Sequence, residues 1–186
     1  MFKKWFIIIS FVLLLDGCDA TQIDSNVGLH SSTKEIGFIK HMMPEQKPDD
    51  FGFSVQFGVN YKNEVNSFED QVTKDLIAEG AVTADIAFSP KENDKIYEKM
   101  KEMNIVEKKK LTPEQVSETI CTQEPHEEDI WRIIIEGETI THSVSGAYCE
   151  PTHDAQKLIE LRNYVFSIVR SKEEFKELPL SKASYE

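Results

Sequence analysis

Apolar and polar residues alternate strictly between Phe51 and Tyr61, in the sequence FGFSVQFGVNY. A sustained period of two is typical of a β-strand with one buried face and one solvated face. A less regular apolar segment, Val65–Leu76, follows after a short turn, and Val82–Phe88 alternates again beyond a turn at Gly80. Neighbouring strands joined by short turns predict an antiparallel meander.

Signals for the start of a helix occur at four places after the meander. Ser89-Pro90-Lys91-Glu92 combines an N-cap serine, a proline at the first helical position and the glutamate of a capping box. Thr112-Pro113-Glu114-Gln115 repeats this start for a short helix that ends near Cys121. Thr152 caps a long helix, and Ser171-Lys172-Glu173-Glu174 starts a last turn. The predicted buried stripes are Ile96, Tyr97, Met100 and Met103 in the first helix and Leu158, Leu161, Val165 and Ile168 in the long one.

A β-hairpin is predicted between the second and third helices. Ile130–Ile135 and Ile140–Tyr148 flank a turn at Glu136-Gly137-Glu138. The predicted element order is therefore β-β-β-α-α-β-β-α, with about five strands and no β-α-β alternation. Strands and helices that are segregated in this way predict an α+β fold, in which the helices pack on one face of an antiparallel sheet.

The N-terminal residues have the composition of an export signal. Lys3 and Lys4 precede the apolar segment Trp5–Leu15, which is too short to span a bilayer but suits a secretory signal. The segment ends in Leu15-Asp16-Gly17-Cys18, which resembles a bacterial lipobox whose cysteine receives a diacylglyceryl group. Asp16 stands where a small or uncharged residue is usual, and we expect it to slow processing. The alternative is an uncleaved signal anchor that Cys18 merely follows.

These patterns predict three parts of the chain: a lipoprotein-type signal peptide at 1–17, a lipidated Cys18 with a flexible tether at 18–50, and a single α+β domain at 51–186. An apolar cluster interrupts the polar tether. We expect this cluster to pack on the domain, and the alternative is a motif that docks a partner. Its members are Ile36, Phe38, Ile39, Met42 and Met43.

The charge of the chain excludes some classes of function. The 186 residues include 21 lysines and arginines against 33 aspartates and glutamates, which gives a formal net charge of -12. A protein that binds nucleic acid through phosphates needs a cationic face, so we expect no nucleic-acid partner. An anionic membrane surface would repel the chain as well, so membrane attachment would depend on the lipid. The acidic surface would either keep a monomer soluble or attract a basic envelope protein.

Cys121 and Cys149 are the two cysteines left if Cys18 is lipidated. They bracket the predicted hairpin, and an exported protein meets an oxidising compartment, so we predict a disulfide between them. Two free thiols or a metal-binding pair are the alternatives. A metal pair is disfavoured because the spacing lacks the closely placed ligands of a structural zinc site.

No catalytic motif occurs in the sequence: it lacks a nucleophile elbow, a zinc-protease helix, a phosphate-binding loop and a calcium loop. Ser145 is expected to be an ordinary strand serine. We therefore predict no catalytic residue, no metal and no cofactor.

The histidines allow one alternative to this prediction. His30 and His41 fall in the tether, and His142 falls on the apolar face of its strand. His126 heads an acidic run, and the hairpin would have to bring it to His153 for the two to form a divalent-ion site. We expect a solvated acidic loop and a core histidine instead.

Several segments resemble uncharacterised lipoproteins of low-GC Gram-positive, Bacillus-like bacteria. They are Val72-Thr73-Lys74-Asp75-Leu76, Ile96-Tyr97-Glu98-Lys99-Met100, and the ending from Ser171 to Pro179 with Tyr185 close to the terminus. The resemblance covers most of 51–186 and implies an exported, lipid-anchored domain. It implies no activity, and Cys18 is the single functional residue that it assigns.

The expected function is that of a membrane-anchored lipoprotein on the outer side of the cell membrane, with a non-enzymatic domain that binds a protein or a small ligand. The alternative is an envelope enzyme or metal-binding protein with an unrecognised carboxylate or histidine site. A pocket lined by convergent polar groups would favour that alternative.

Overall fold

The alternating segment that begins at Phe51 lies near the middle of a six-stranded sheet in the computed structural model, which describes residues 42–114 and 121–185. Every neighbouring pair of strands is antiparallel, and the strand order across the sheet is β4-β3-β2-β1-β5-β6. The strands are β1 Gly52–Gly58, β2 Asn63–Asn66, β3 Gln71–Asp75, β4 Ala81–Asp85, β5 Glu128–Ile135 and β6 Glu138–Ser145. The predicted α+β class with an antiparallel sheet is confirmed.

The strand count was predicted one too low, because Val65–Leu76 forms two strands rather than one. A turn separates β2 from β3. The side-chain Oδ1 of Asn66 accepts hydrogen bonds from the backbone N–H groups of Phe68 at 3.0 Å and Glu69 at 3.3 Å. Asp70 completes the turn with a positive φ of 51°. Asparagine and aspartate favour such turns because they tolerate this conformation and bond to nearby backbone groups.

Two strands end earlier than the alternation predicts. β1 stops at Gly58, and Val59–Tyr61 forms a 3-10 turn in which Asn60 has φ 57°. β4 stops at Asp85, yet Ile86 beyond it is fully buried. The N–H of Ile86 still donates to the carbonyl of Asp70 at 2.7 Å. Apolar alternation therefore runs beyond the assigned end of both strands.

The helices are α1 Pro90–Glu102, α2 His153–Ser171 and α3 Glu173–Lys176. The predicted capping box of α1 is confirmed: Ser89 Oγ accepts from the backbone N–H of Glu92 at 3.4 Å, and Glu92 Oε2 accepts from that of Ser89 at 2.8 Å. Thr152 caps α2 through the N–H of Ala155. The short helix predicted to start at Thr112 falls largely on residues 115–120, outside the described residues.

The core lies between the helices and one face of the sheet. β1 and β5 contribute Phe53, Val55, Trp131 and Ile133, all at zero exposure. The helices contribute the predicted stripes, with two changes. Met103 is the C-cap of α1 and only partly buried, and in α2 Val169 is fully buried whereas Ile168 is only partly buried. One helical layer therefore covers one sheet face, which leaves the other face to solvent.

Packed structure starts before Phe51, the expected start of the domain. Met43 lies in the core, and Tyr97 Oη donates to the carbonyl of Pro44 at 2.7 Å. Lys101 Nζ forms an ion pair with Glu45 at 2.9 Å. Of the apolar cluster in the predicted tether, Met43 packs on the domain, as expected, and Met42 is exposed. Ile36, Phe38 and Ile39 lie outside the described residues.

Candidate functional site

A charged cluster lies where β5 meets α2. Asp129 alternates with Trp131, Ile133 and Ile135 along β5, so its side chain points into the core, and the residue is 2% exposed. An aspartate in that position must be paired or neutralised, because an unpaired buried charge is costly. Its pairing partner comes from α2.

Arg162 of α2 supplies the cation. Its Nε donates to Asp129 Oδ2 at 3.3 Å, and its Nη2 donates to Glu127 Oε2 at 2.8 Å. The guanidinium carbon also lies 5.3 Å from the ring centroid of Phe57. We call Glu127, Asp129 and Arg162 the Arg162 cluster. It joins the helical layer to the sheet through two carboxylates and one aromatic face.

The pKa of Asp129 is raised from 3.8 to about 6. Burial is the main cause, since it penalises the charged carboxylate, and the nearby Glu127 charge adds to the effect. The attraction and hydrogen bond of Arg162 act in the opposite direction without cancelling the burial. Asp129 is therefore ionised at neutral pH but close to titrating.

A disulfide between Cys121 and Cys149 closes the same end of the hairpin, with the Cα atoms 5.5 Å apart. This is the pairing that the sequence predicted. The backbone N–H of Cys149 donates to the carbonyl of Cys121 at 3.2 Å, and the N–H of Gln123 donates to that of Ala147 at 2.8 Å. The covalent link thus extends the β5–β6 pairing beyond the strands.

A shallow groove of about 280 Å³ lies beside the Arg162 cluster. Its polar lining comes from Gln123, His126, Glu127, Asp129 and Arg162. The guanidinium is already engaged, however: besides the two carboxylates, its Nη1 donates to Asn163 Oδ1 at 3.1 Å. A guanidinium whose Nε, Nη1 and Nη2 atoms each donate to a protein acceptor fastens α2 to the hairpin and has few donors left for a ligand.

His126 lies among acids, as its sequence context suggested. Its Nδ1 is 3.0 Å from Glu124 Oε2, without the alignment of a hydrogen bond, and its Nε2 is 3.7 Å from Glu128 Oε1. His153 is exposed at the start of α2, and within the described residues no hydrogen bond or ion pair joins it to His126. Over 42–114 and 121–185, no group of three or more histidine, cysteine, aspartate or glutamate residues has the arrangement of a metal site.

His142 and Ser145 are the remaining candidate residues that the structure describes. His142 is buried, and its Nε2 donates to the carbonyl of Ile105 at 2.7 Å. Burial lowers its pKa, which keeps the imidazole neutral, as befits a core histidine. Ser145 Oγ accepts from the backbone N–H of Ala147, an ordinary role at a strand end. Cys18, His30 and His41 lie outside the described residues.

The solvent-facing side of the sheet is polar, and its side chains form hydrogen bonds with one another. Thr73 Oγ1 lies 2.9 Å from Thr83 Oγ1, and Gln56 Nε2 donates to Glu64 Oε2 at 3.3 Å. Arg132 is its single cation among the strand residues, and the ring of Phe68 lies over it at 5.2 Å. Such a face suits contacts with polar groups, and it contains no nucleophile–base pair in the described part of the chain.

Sequence reasoning missed the Arg162 cluster, although one signal for it was present. Asp129 has the same parity as Trp131, Ile133 and Ile135, so the alternation of β5 already assigned a carboxylate to the buried face. The identity of its partner needed the tertiary structure, because Arg162 follows 33 residues later on a different element.

Across residues 42–114 and 121–185, none of the helices combines the length and apolar character that crossing a membrane requires. The chain matches no protein-family model, no curated protein and no solved structure.

Proposed function

We propose that this chain is an exported lipoprotein, anchored to the outer side of the cell membrane through Cys18, whose domain binds another molecule and catalyses no reaction. The sequence of residues 1–18 carries the proposal: two lysines, an apolar segment of secretory length and the Leu15-Asp16-Gly17-Cys18 motif. Each acyl chain attached to Cys18 would contribute about 0.8 kcal/mol per buried CH₂, enough to hold an acidic domain at a bilayer.

Two properties of the chain support this proposal. The Cys121–Cys149 disulfide fits an oxidising compartment, because cytosolic thiols are normally kept reduced. The acidity belongs to the domain rather than to the signal, since 1–17 contain two lysines and one aspartate and their removal changes the net charge from -12 to -13. A domain of that charge would need the lipid to stay at an anionic membrane.

The anchor is tested by expressing the chain with and without Cys18→Ala in a Gram-positive host. We expect the unaltered protein to fractionate with membranes and to carry an acylated N-terminal cysteine detectable by mass spectrometry. The Cys18→Ala variant should appear in the medium, whereas Ser10→Ala, a change in the same signal that spares the cysteine, should stay in the membrane. Membrane retention of the Cys18→Ala variant would overturn the lipoprotein proposal.

The preference for a non-catalytic role rests on the geometry of the polar groups. The most convergent ones, in the Arg162 cluster, are occupied by one another, which favours a binding domain over an enzyme. A basic envelope protein is the partner class that the net charge favours, and salt-sensitive capture of such a protein by the membrane-bound chain would support it.

The alternative function, an enzyme or metal-binding protein, draws on His126 with Glu124 and Glu128. Calorimetric titration of the protein with zinc, manganese and calcium separates the two. Heat of binding that His126→Gln removes would favour the alternative, and no heat is expected.

A further inference from the structure

The sheet has two outer strands, β4 and β6, whose outward backbone groups the register identifies. The N–H of Gly146 donates to the carbonyl of Glu127 at 2.8 Å, in the same register as β5 and β6. Because hydrogen-bonded and non-hydrogen-bonded pairs alternate along an antiparallel ladder, Thr139, Thr141 and Ser143 direct their N–H and C=O groups away from β5. We call these outward groups the β6 edge.

The sequence and register of β6 lack the charges, prolines and bulges by which proteins usually protect an outer strand. β6 is eight residues long, and its register with β5 runs from Glu138 to Ser145 without a bulge. From Thr139 to Ser145 it contains no charged residue, no proline and no glycine. Charged side chains, prolines, bulges or short strands normally block pairing at an exposed edge. This edge therefore remains competent to pair with another strand.

A groove of about 470 Å³ runs beside this edge. One side consists of Thr139–Ser143, and the other is the segment that follows α1, with Val106 and Leu111 as its apolar residues. The hydrogen bond from His142 to the carbonyl of Ile105 fixes this segment against β6. The groove would accept alternate side chains of an added strand, as recognition by strand addition requires.

The charge along the groove is opposite to that of the chain as a whole. Lys108–Lys110 is the one run of three consecutive basic residues in a sequence of net charge -12. Two lysines, Lys108 and Lys109, and one glutamate, Glu107, line the groove, which leaves its lining positive. Lys109 Nζ donates to the carbonyl of Met103 at 2.7 Å and lies 3.9 Å from Glu107, and Lys110 beside it is paired with Glu114 at 2.6 Å. Lys108 is exposed and forms no ion pair within the described residues.

We propose that the β6 edge binds an extended, acidic peptide segment of a partner protein, which pairs with the outward groups of Thr139, Thr141 and Ser143 and places carboxylates beside Lys108. A second copy of this chain is a poorer occupant. Twofold pairing of two β6 strands would bring the two Lys108–Lys110 runs towards each other, and like charges oppose such pairing. This inference rests on the proposed binding role and adds to it a local surface for an acidic segment, distinct from the basic partner that the net charge of the whole domain favours. Its test is independent of the Cys18 anchor.

The test measures amide hydrogen exchange in the full-length chain in detergent, with and without a blocked nine-residue peptide. The peptide alternates valine and threonine and carries two glutamates at each end. We expect it to slow exchange in β6 and to leave β4 unchanged. A peptide with lysines in place of the glutamates should bind more weakly, and N-methylation of alternate amides should abolish the effect, because it blocks strand pairing without changing side chains.

The matched variants are Thr141→Pro and Thr83→Pro. Thr83 lies on β4, where the bonds from Leu76 N to Gly80 O and from Ile86 N to Asp70 O show that its own N–H also points outward. Each proline removes one outward donor and spares the ladder within the sheet. Thr141→Pro should weaken acidic-peptide binding by about two- to tenfold, and Thr83→Pro should leave it unchanged. Lys108→Glu should weaken the acidic peptide and strengthen the basic one.

Three results would overturn the proposal. One is slow exchange of the β6 edge amides before any peptide is added, which would mean that the chain itself covers the edge. Another is equal binding of the acidic and basic peptides. The last is a dimer in analytical ultracentrifugation that Thr141→Pro abolishes, which would make a second copy the occupant.

Discussion

Strands β2 to β4 and the β5–β6 hairpin flank the same central strand, β1, but different contacts hold them in place. The hairpin is closed by the Cys121–Cys149 disulfide and joined to α2 by the Arg162 cluster. On the other side, hydrogen bonds join β3 to the C-terminal residues. Tyr185 Oη donates to Asp75 Oδ2 at 2.5 Å, and Lys74 Nζ donates to the carbonyl of Pro179 at 2.7 Å.

The two sides of β1, which we call the hairpin half and the β2–β4 half, are held by contacts of different kinds. A disulfide acts mainly by restricting the unfolded chain, so its contribution persists whatever the solvent does to polar contacts. Hydrogen bonds from a terminal segment contribute only about 0.5–1.5 kcal/mol each, since water competes for the same groups. We therefore expect the hairpin half to depend on a few strong links and the β2–β4 half on many weak ones.

Removal of the disulfide should give the largest effect. The bridge spans a sequence separation of 28, for which the chain-entropy model gives about 3.5 kcal/mol. The double variant Cys121→Ser, Cys149→Ser should lose about this much free energy of unfolding in urea. Hydrogen exchange should accelerate more in Glu128–Ser145 than in Gln71–Asp85. Cys18→Ala serves as the control, because it removes a cysteine outside the pair, and equal acceleration in both halves would contradict the comparison.

Arg162→Met should cost about 2 kcal/mol at pH 7. Removing one partner of a buried pair typically costs about 3–5 kcal/mol when the remaining group stays charged. Asp129, whose pKa is already about 6, can instead take up a proton at a cost of about 1.4 kcal/mol per pH unit, which limits the loss. Arg170→Met, on the exposed side of the same helix, should cost far less. A second change, Asp129→Asn, should restore part of the stability.

The pH dependence of stability tests the same cluster. The folded state holds the Asp129 proton up to a pH of about 6, whereas the ordinary value is 3.8. The contribution of Asp129 to stability therefore falls as the pH rises from about 4 to about 6 and recovers on acidification. Between pH 7 and pH 5, the unfolding free energy of the unaltered protein should rise by about 1.4 kcal/mol relative to Asp129→Asn. A Glu127→Gln variant should show a smaller rise, because the charge of Glu127 contributes to the raised pKa of Asp129.

Tyr185→Phe should give the smallest effect, about 1 kcal/mol, because it removes one hydrogen bond to Asp75. Its consequence should be local: exchange should accelerate in Gln71–Asp75 and stay unchanged in β5 and β6. Tyr148→Phe is the matched control, since the Tyr148 hydroxyl makes no hydrogen bond within the described residues. Acceleration in the hairpin on loss of the Tyr185 hydroxyl would mean that the two halves are not held separately.

Much of the fold could be predicted because its signals are local. The alternation from Phe51, the capping box of Ser89 and Glu92 and the cap at Thr152 each depend on residues a few positions apart. The division of Val65–Leu76 into two strands was missed. Apolar residues lie on both sides of the turn, and the hydrogen bonds by which Asn66 forms that turn are not evident from the apolar pattern. The end of β1 was missed because the apolar alternation runs on to Tyr61, although none of Val59–Tyr61 is buried.

The sequence by itself determined the α+β class, the helix starts, the net charge and the predicted export signal with Cys18, because these depend on composition and short-range pattern. The tertiary structure decided what lies together. It placed Arg162 against Asp129, Tyr185 against Asp75, and Val106 and Lys108 beside the uncharged β6 edge. Each of these contacts joins elements that are distant along the chain, and only the packing of the helical layer and the order of the strands bring such residues within reach of one another.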